Sequence, residues 1–550
     1  MIKPMVMTKE SPFTPAMMES MKKLEATREA RLQTEPRRMT ADEKRALLDE
    51  YHPDYGDKGF AKIEIGPNAG EKAPKELTAL LHSKSRISGL DLDLDKVDFE
   101  TDVLIIGGGG SGAAAAIEAK VAGSDVLIVT KLRMGDSNSM MAEGGIQASD
   151  KDNDSPMQHY LDAMGGGHYY NKPELVRRLV MDGAKSLEWL EGLGVMFDKH
   201  PDGSMQTFPG GGLSRKRLHA CADYTGAEIT RVLRDQVHNM GIEIVDYTAA
   251  VELLLDKEGN AAGAVLYNML TGEYLIARAK TVVMATGGAG RMHYHGFPTT
   301  NHYGATADGL VMAYRAGCNL LYQDTIQYHP TGTAYPIQLF GALVTEKVRA
   351  VGAQLINTNG EAFVHPLETR DVAASAIIRE TSTHGLGVDI PNGRGVWLDT
   401  PMIDIINGDG KIATALPGML RMFMNYGIDM RKTPVLVYPS FHYQNGGIEV
   451  NAEAATEKIP NLFVAGEAIG GIHGRNRLLG NSMLDVIVFG RLAGQSAAAC
   501  AKNVKVGAPT LSHVKEYESQ IESAKLEDTG EASPILLPKY ARDVNVGKLK

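Results

Sequence analysis

The chain has 550 residues, 60 of them glycine and 43% apolar, with a formal net charge of −10. That length exceeds what one hydrophobic core supports, so two or more domains of roughly 100–200 residues are expected, in a globular α/β protein rather than a fibrous or disordered one. The acidic balance argues weakly against a nucleic-acid partner, and the three cysteines, Cys221, Cys318 and Cys500, form no CxxC pair, which leaves no disulfide framework and no iron-sulfur or zinc site that this chain could build alone.

The N-terminus, MIKPMVMTKESPF, has neither the apolar core of a secretory signal nor a twin arginine. No apolar run of about eighteen residues stands out, so the expectation is a cytoplasmic chain without a membrane span of its own. Residues 1–95 are dense in charge and methionine, with helical stretches such as MMESMKKLEATREARL and TADEKRALLDEY broken by Pro36, Pro53 and Gly56. They form a charged N-terminal extension that either wraps another surface or remains a solvated arm, because few apolar residues are available to offset the entropy of ordering.

Regular structure is expected from TDVLIIGGGGSGAAAAIEAKVAGSDVLIVTK onward, where an apolar strand, a glycine turn, an alanine-rich helix and a second strand make a βαβ unit. KPELVRRLVMDGAKSLEWLEGLG then reads as helix, with Pro173 near its start and glycines at its end. Two further glycine turns, VVMATGGAGR and LFVAGEAIGGIHG, each follow an apolar strand. Three such turns suit one extended dinucleotide. The expected architecture is α/β: a Rossmann-type domain over 96–328 and 442–505, an inserted α+β capping domain over 329–441, and a short polar tail over 506–550 that ends in basic residues.

The spacing G-x-G-x-x-G is met by Gly107, Gly109 and Gly112. The first glycine permits a tight turn, the second lets the backbone approach a pyrophosphate, and the third packs helix on strand, leaving the helix N-terminus facing negative charge. Strand before and helix after support dinucleotide binding. The second strand ends IVTK without an acidic residue at its tip, which disfavours a nicotinamide dinucleotide.

The motifs GGGGSGAAAA, SMMAEGGIQA, ADYTGAEI, ATGGAGR, QYHPTG, TEKVR, TRDVA, HYQNGGI and GEAIGGIHGRNRLLGNSMLDVIVFGR occur in this order. In them the chain resembles, over about residues 100–505, the flavoprotein subunits of fumarate reductase and succinate dehydrogenase, in a broader group with L-aspartate oxidase and adenylylsulfate reductase. The resemblance implies an FAD-binding domain with FAD in an extended pose. Gly107, Gly109, Gly110, Ser111 and Gly112 would lie at its pyrophosphate, and Thr130 and Lys131 at its adenosine end. Ser137, Asn138, Ser139, Gly144 and Gly145 would run along the isoalloxazine, with Asp223, Glu467, Ser482 and Met483 as further contacts. Without the resemblance, Asp223 and Glu467 read as ordinary cap or turn carboxylates.

His329, in QYHPTG, and His442, in PSFHYQNGGI, sit at turns, and from chemistry alone a histidine is the natural proton donor at neutral pH. The resemblance assigns His329, Thr345, His442 and Arg477 to the two carboxylates of fumarate or succinate, with Phe208 near the unsaturated carbons. It makes Arg370 the proton donor. A carbanion-like centre is basic enough to take a proton from arginine, and the guanidinium also stabilises the developing charge. Glu346 and Arg349, at i and i+3, would form the relay that reloads Arg370; as a bare pattern they read as a surface ion pair. Arg475 is either an extra cation near the site or a surface residue.

With no cysteine cluster in this chain, the resemblance implies that electrons come from an iron-sulfur partner subunit, with further redox subunits beyond it, and that membrane association arises only through such partners. The extension at 1–95 could take part in docking that partner. Asn138 occupies the slot where many respiratory relatives carry a histidine bonded to the flavin, so FAD is expected to be held non-covalently and the reaction to run toward fumarate reduction. An L-aspartate oxidase, and a flavin electron-transfer subunit with an idle pocket, are the alternative readings.

Overall fold

The structure is a computed structural model, and it describes residues 12–527 and 530–538. The run Val103–Ile106 is fully buried, as the interior of a parallel sheet covered on both faces requires. It belongs to Phe99–Ile106, which pairs in parallel with Val126–Val129 on one side and Tyr274–Met284 on the other. Glu243–Val245 extends this seven-stranded sheet in parallel beyond Val126–Val129. Besides Phe99–Ile106, the long strand Tyr274–Met284 has two partners: its first half pairs antiparallel with Ala261–Asn268, its last residues in parallel with Leu462–Val464. The sequence returns to the sheet there after a long excursion, so the domain is discontinuous.

The helix Gly110–Val121 follows the glycine turn and packs on the long helix Asn481–Ala501. Small residues let the two backbones approach: a Cβ at Gly494 would meet Ala115 O at 2.2 Å, and one at Gly490 would meet Ser111 O at 2.8 Å. Asn481–Ala501 corrects one expectation. Among the described residues it is long and apolar enough to cross a membrane by length and composition, but 72% of its apolar window is buried inside the protein. Its hydropathy comes from being a core helix with both flanks covered.

The inserted unit is a five-stranded antiparallel sheet in the order Ile326–Tyr335, Val435–Gln444, Gly393–Asp399, Gln354–Ile356, with Val388–Ile390 also on Gly393–Asp399. Helix Arg370–Ser382 packs across Ile326–Tyr335. The divisions expected at 328/329 and 441/442 fall inside Ile326–Tyr335 and Val435–Gln444. A strand cannot be cut without losing its ladder, so the sheet enters and leaves a few residues outside those marks.

Within the described residues the extension carries three α-helices. Thr14 caps helix Pro15–Gln33, and Thr40 with Glu43 forms a capping box on Ala41–Tyr51. The first helix lies on the capping sheet: Trp397 donates from Nε1 to Ser20 Oγ at 2.9 Å, and Asp399 accepts from Arg28 and Arg31, with the Arg31 contact at 2.8 Å. Asp399 is fully buried, so removing either side of this arrangement costs about 3–5 kcal/mol. The second helix packs on Arg370–Ser382. The chain then crosses to the other domain, where Asn68 bonds Leu320 in both directions at 2.8 and 2.9 Å. Of the two readings of the extension, wrapping is the one observed, and the surface wrapped is this chain's own. The C-terminal segment is also part of the fold, with helix Ser512–Ser523 against Asp308–Arg315; the final basic residues lie outside the described ones.

Candidate active site

One cleft runs from the glycine turn of the first domain to the face of the capping sheet, with about 1510 Å³ of empty space including its open mouth. Small-molecule sites occupy ~300–1,000 Å³, so this volume suits a dinucleotide together with a small substrate. At one end Gly107, Gly109, Ser111, Thr130 and Lys131 line it. Gly107 has φ +119°, open to glycine but not to other residues, and a Cβ at Gly112 would sit 1.9 Å from Gly107 O. The N-cap residue Gly109 offers no side-chain acceptor to helix Gly110–Val121; Ser139 Oγ accepts from Gly110 N–H at 3.3 Å, and the helix N-terminus at the cleft fits a pyrophosphate. Lys131 Nζ is held by Asp308 at 2.6 Å and Thr306 at 2.7 Å.

Ser137, Asn138, Ser139, Gly144 and Gly145 line the middle of the cleft, with Glu467, Ser482 and Met483 opposite. Asn138 is locked by three bonds. Its Nδ2 donates to Asn301 Oδ1 at 2.6 Å and to Glu467 Oε2 at 3.2 Å, and its Oδ1 accepts from the His302 N–H at 2.6 Å. Burial raises the Glu467 carboxyl above its usual range, against the opposing bonds from Gln444 N–H and Asn138.

At the far end His329, Thr345, Glu346, Arg370, His442 and Arg477 line the same cleft. Arg370 opens helix Arg370–Ser382; its Nε donates to Glu346 Oε2 at 2.8 Å and its Nη1 to Gln327 Oε1 at 2.8 Å. Glu346 also accepts from Gly211 N–H at 2.7 Å and lies 3.5 Å from Arg349. Burial works to raise the Glu346 carboxyl, but Arg370 and Arg349 outweigh it and hold it below the usual range. Arg477 donates from Nη1 to Ser482 Oγ at 2.6 Å and stacks over the Tyr443 ring, while its buried Nε has no hydrogen-bond partner among the described residues. Burial, and then the charge of Arg370, bring Arg477 down to about 9.

The two imidazoles meet with ring centroids 4.9 Å apart. Burial, followed by repulsion from Arg370, holds both well below the ordinary histidine range, so both are neutral at pH 7. His329 Nδ1 accepts from Thr331 N–H at 3.2 Å, which places its proton on Nε2 as a donor. His442 Nδ1 is tied to Thr300 Oγ1 at 2.7 Å. Two guanidinium groups, two neutral imidazoles and a threonine hydroxyl therefore surround a space with more positive charge than the protein neutralises. A dianion offering acceptors at both ends would relieve it.

Some expected residues stand outside the lining. Gly110 and Gly112 pack behind the turn, and Arg349 lies one layer behind Glu346, donating to Pro366 O. Phe208 touches the cleft wall at Gly145, with Lys347 Nζ 5.0 Å from its ring centroid. Asp223 also stands outside the lining: it accepts from Gly418 N–H at 2.9 Å and Met419 N–H at 2.8 Å at the start of helix Pro417–Met424. Its side chain answers orphan amides of that helix. Arg475 is an intermediate case, paired with Asp324 at 3.2 Å and stacked on Tyr170, outside the cleft lining.

Two functional neighbours escaped the sequence reading. Gln327 holds Arg370 and donates from Nε2 to Arg477 O at 2.5 Å; it precedes His329 by two along a strand, so period-2 alternation could have placed it on the same face. Asn301, which orients Asn138, had no local signal. Among the described residues no cluster of His, Cys, Asp and Glu could hold a metal ion.

The FAD binding domain family matches residues 102–483. The chain is 39% identical over 412 residues to a fumarate reductase (CoM/CoB) subunit of Methanothermobacter marburgensis, covering 73% of each chain. It is 34% identical over 416 residues to an L-aspartate oxidase of Streptomyces coelicolor, covering 72% of this chain and 68% of that one. A variant of E. coli quinol fumarate reductase superposes with a TM-score of 0.70 at 32% identity, covering 77% of this chain and 74% of that one. FAD is the cofactor, and the chain belongs to the FAD-dependent oxidoreductase family of fumarate reductase and succinate dehydrogenase flavoproteins.

Proposed function

We propose that this chain is the catalytic flavoprotein subunit of a fumarate reductase, interconverting fumarate and succinate with reduction favoured. The observation that carries this reading is the convergence of Arg370, Arg477, His329, His442 and Thr345 at one end of the cleft whose other end is the glycine turn. His329 Nε2–H, Thr345, His442 and Arg477 would grip the two carboxylates, and Phe208 would back the wall near the unsaturated carbons. Bound FAD supplies hydride chemistry. Arg370 stabilises negative charge developing between the carboxylates and delivers a proton to the carbon beside the one that receives hydride. Its contact with Glu346, and that of Glu346 with Arg349, make the route by which the proton is replaced. Buried walls exclude water and strengthen each of these interactions.

Asn138, held by three hydrogen bonds and lacking a nucleophilic ring nitrogen, leaves FAD non-covalent. Acid precipitation should release the flavin into the supernatant; a yellow pellet would contradict this. Electrons come from an iron-sulfur partner subunit in the cytoplasm, any membrane association being through partners. The test is a steady-state assay of the purified protein with reduced viologen and fumarate, and failure to oxidise the dye would overturn the proposal. L-aspartate oxidase is the second reading, favoured by the 34% identity to that enzyme of S. coelicolor. Turnover of L-aspartate in the presence of oxygen, without any added donor, would select it.

A further inference from the structure

The family match begins at residue 102, so the wrapped extension lies outside it, yet the extension reaches the active site from behind. Along strand Ile326–Tyr335 alternate side chains face opposite ways. Gln327 and His329 face the catalytic arginine and the cleft; Ile326 and Tyr328 face the extension. There Asp54 accepts from Ile326 N–H at 2.7 Å through Oδ2 and from Tyr328 O–H at 3.0 Å through Oδ1. One carboxyl thus brackets Gln327, the residue that binds both Arg370 and the backbone of Arg477.

Among the described residues no lysine or arginine pairs with Asp54. The nearest imidazoles, His295 at 3.7 Å and His52 at 3.9 Å, are brought by burial to about 4, and burial pushes Asp54 itself up to about 8. What holds this carboxyl in place is its hydrogen bonding to the active-site strand. The extension also grips the approach to Arg370. Glu368 accepts from Met39 N–H at 3.0 Å and meets Lys44 Nζ at 2.7 Å, and Tyr51 O–H donates to Thr383 at the end of the helix that Arg370 begins.

We infer that Asp54 is a positioning residue of the active site: it sets the strand that carries Gln327 and His329 and, through Gln327, the spacing of Arg370 and Arg477. The inference rests on the proposed fumarate-reducing reading of that site. Without Asp54, the Ile326 N–H and the Tyr328 hydroxyl lose their buried acceptors, and the strand shifts to find others. A displacement of about 1 Å at reacting groups costs up to ~10²-fold in rate.

The test uses the full-length FAD-loaded enzyme. Fumarate turnover with reduced viologen is measured beside binding of malonate, a dicarboxylate, read from the change in flavin absorbance. Asp54→Ala should lower kcat at least tenfold and weaken malonate binding several-fold at unchanged flavin content. Asp54→Asn, whose amide can still accept from Ile326 N–H and donate to the Tyr328 oxygen, should recover most of both. Tyr328→Phe, which removes one bond at little change in volume, should show a smaller loss in the same direction and serves if the alanine variant does not fold. Arg31→Met, which breaks the Asp399 contact elsewhere in the extension, should lower Tm without altering kcat or malonate affinity. Wild-type kinetics and malonate affinity in Asp54→Ala or Tyr328→Phe would overturn the inference. So would equal kinetic losses in Arg31→Met, which would reduce the extension's role to general stability. A wild-type enzyme inactive on fumarate would instead remove the parent reading, while the malonate titration would still report on Asp54.

Discussion

At the glycine-turn end the cleft is lined by backbone and small side chains, Gly107, Gly109 and Ser111, whereas at the far end it is lined by Arg370, Arg477 and two neutral imidazoles. The first end recognises by closeness of approach: helix amides and missing Cβ atoms admit a pyrophosphate. The second recognises by charge, with groups whose protonation is set by burial and by one another. Changes at the two ends should therefore fail in different ways, one losing cofactor and the other losing turnover or substrate while the flavin stays.

The strongest separation is expected from Arg370→Ala. It removes proton donor and charge stabiliser together, so fumarate reduction should fall by about 10³-fold or more with flavin content unchanged; Arg370→Lys should not rescue it, because a single ammonium cannot reach Glu346 and Gln327 at once. Gly112→Val should do the converse. Its Cβ would fall 1.9 Å from Gly107 O, overpacking that costs ~1–3 kcal/mol or more, and the ratio of flavin to protein absorbance should drop. If Gly112→Val kept its flavin and lost only turnover, the division between the two ends would be wrong.

A smaller effect belongs to Arg477→Gln. Losing a charged hydrogen-bonding partner of about 1.5–3 kcal/mol should raise KM for fumarate by ~10- to 100-fold, with kcat less affected; a fall in kcat alone would assign Arg477 to chemistry rather than binding. The smallest is a pH effect. His329 and His442 are both depressed by burial, so the unfolded chain takes up protons that the folded one refuses. Their effect on stability is therefore absent above about pH 6.5 and turns unfavourable as pH falls below it. Tm measured from pH 8 to pH 5 should decline less in a His329→Gln, His442→Gln double variant than in the parent.

How far the sequence could be read depends on the range of the interactions. The glycine turn was legible because its pattern is local: strand, turn and helix lie within a few tens of residues, and Gly112 answers a contact with Gly107 in the same turn, although Gly107 itself is pressed by the distant Ala285 O. The substrate groups were named from motif resemblance, but their joint geometry was not legible. Asp223 is an example: its carboxylate and its motif were visible, while the helix whose amides it bonds begins almost two hundred residues later, with Gly418 195 residues away. The extension is the clearest case. Its first helix carries many exposed charges and few apolar residues, a composition compatible with a solvated arm, yet Arg31 is buried against Asp399 from 368 residues away.

By itself, then, the sequence determined what short-range physics determines: a dinucleotide turn with its helix, an α/β architecture with an insertion, and the residue types at a dicarboxylate site. Only the tertiary structure decided that the capping sheet begins at Ile326, that Gln327 joins the two arginines, and that the extension closes over its own chain with Asp54 behind the active strand. Those outcomes rest on buried hydrogen bonds and ion pairs between distant segments, whose strength comes from the removal of water on folding, and no local pattern of residues records which partner each will meet.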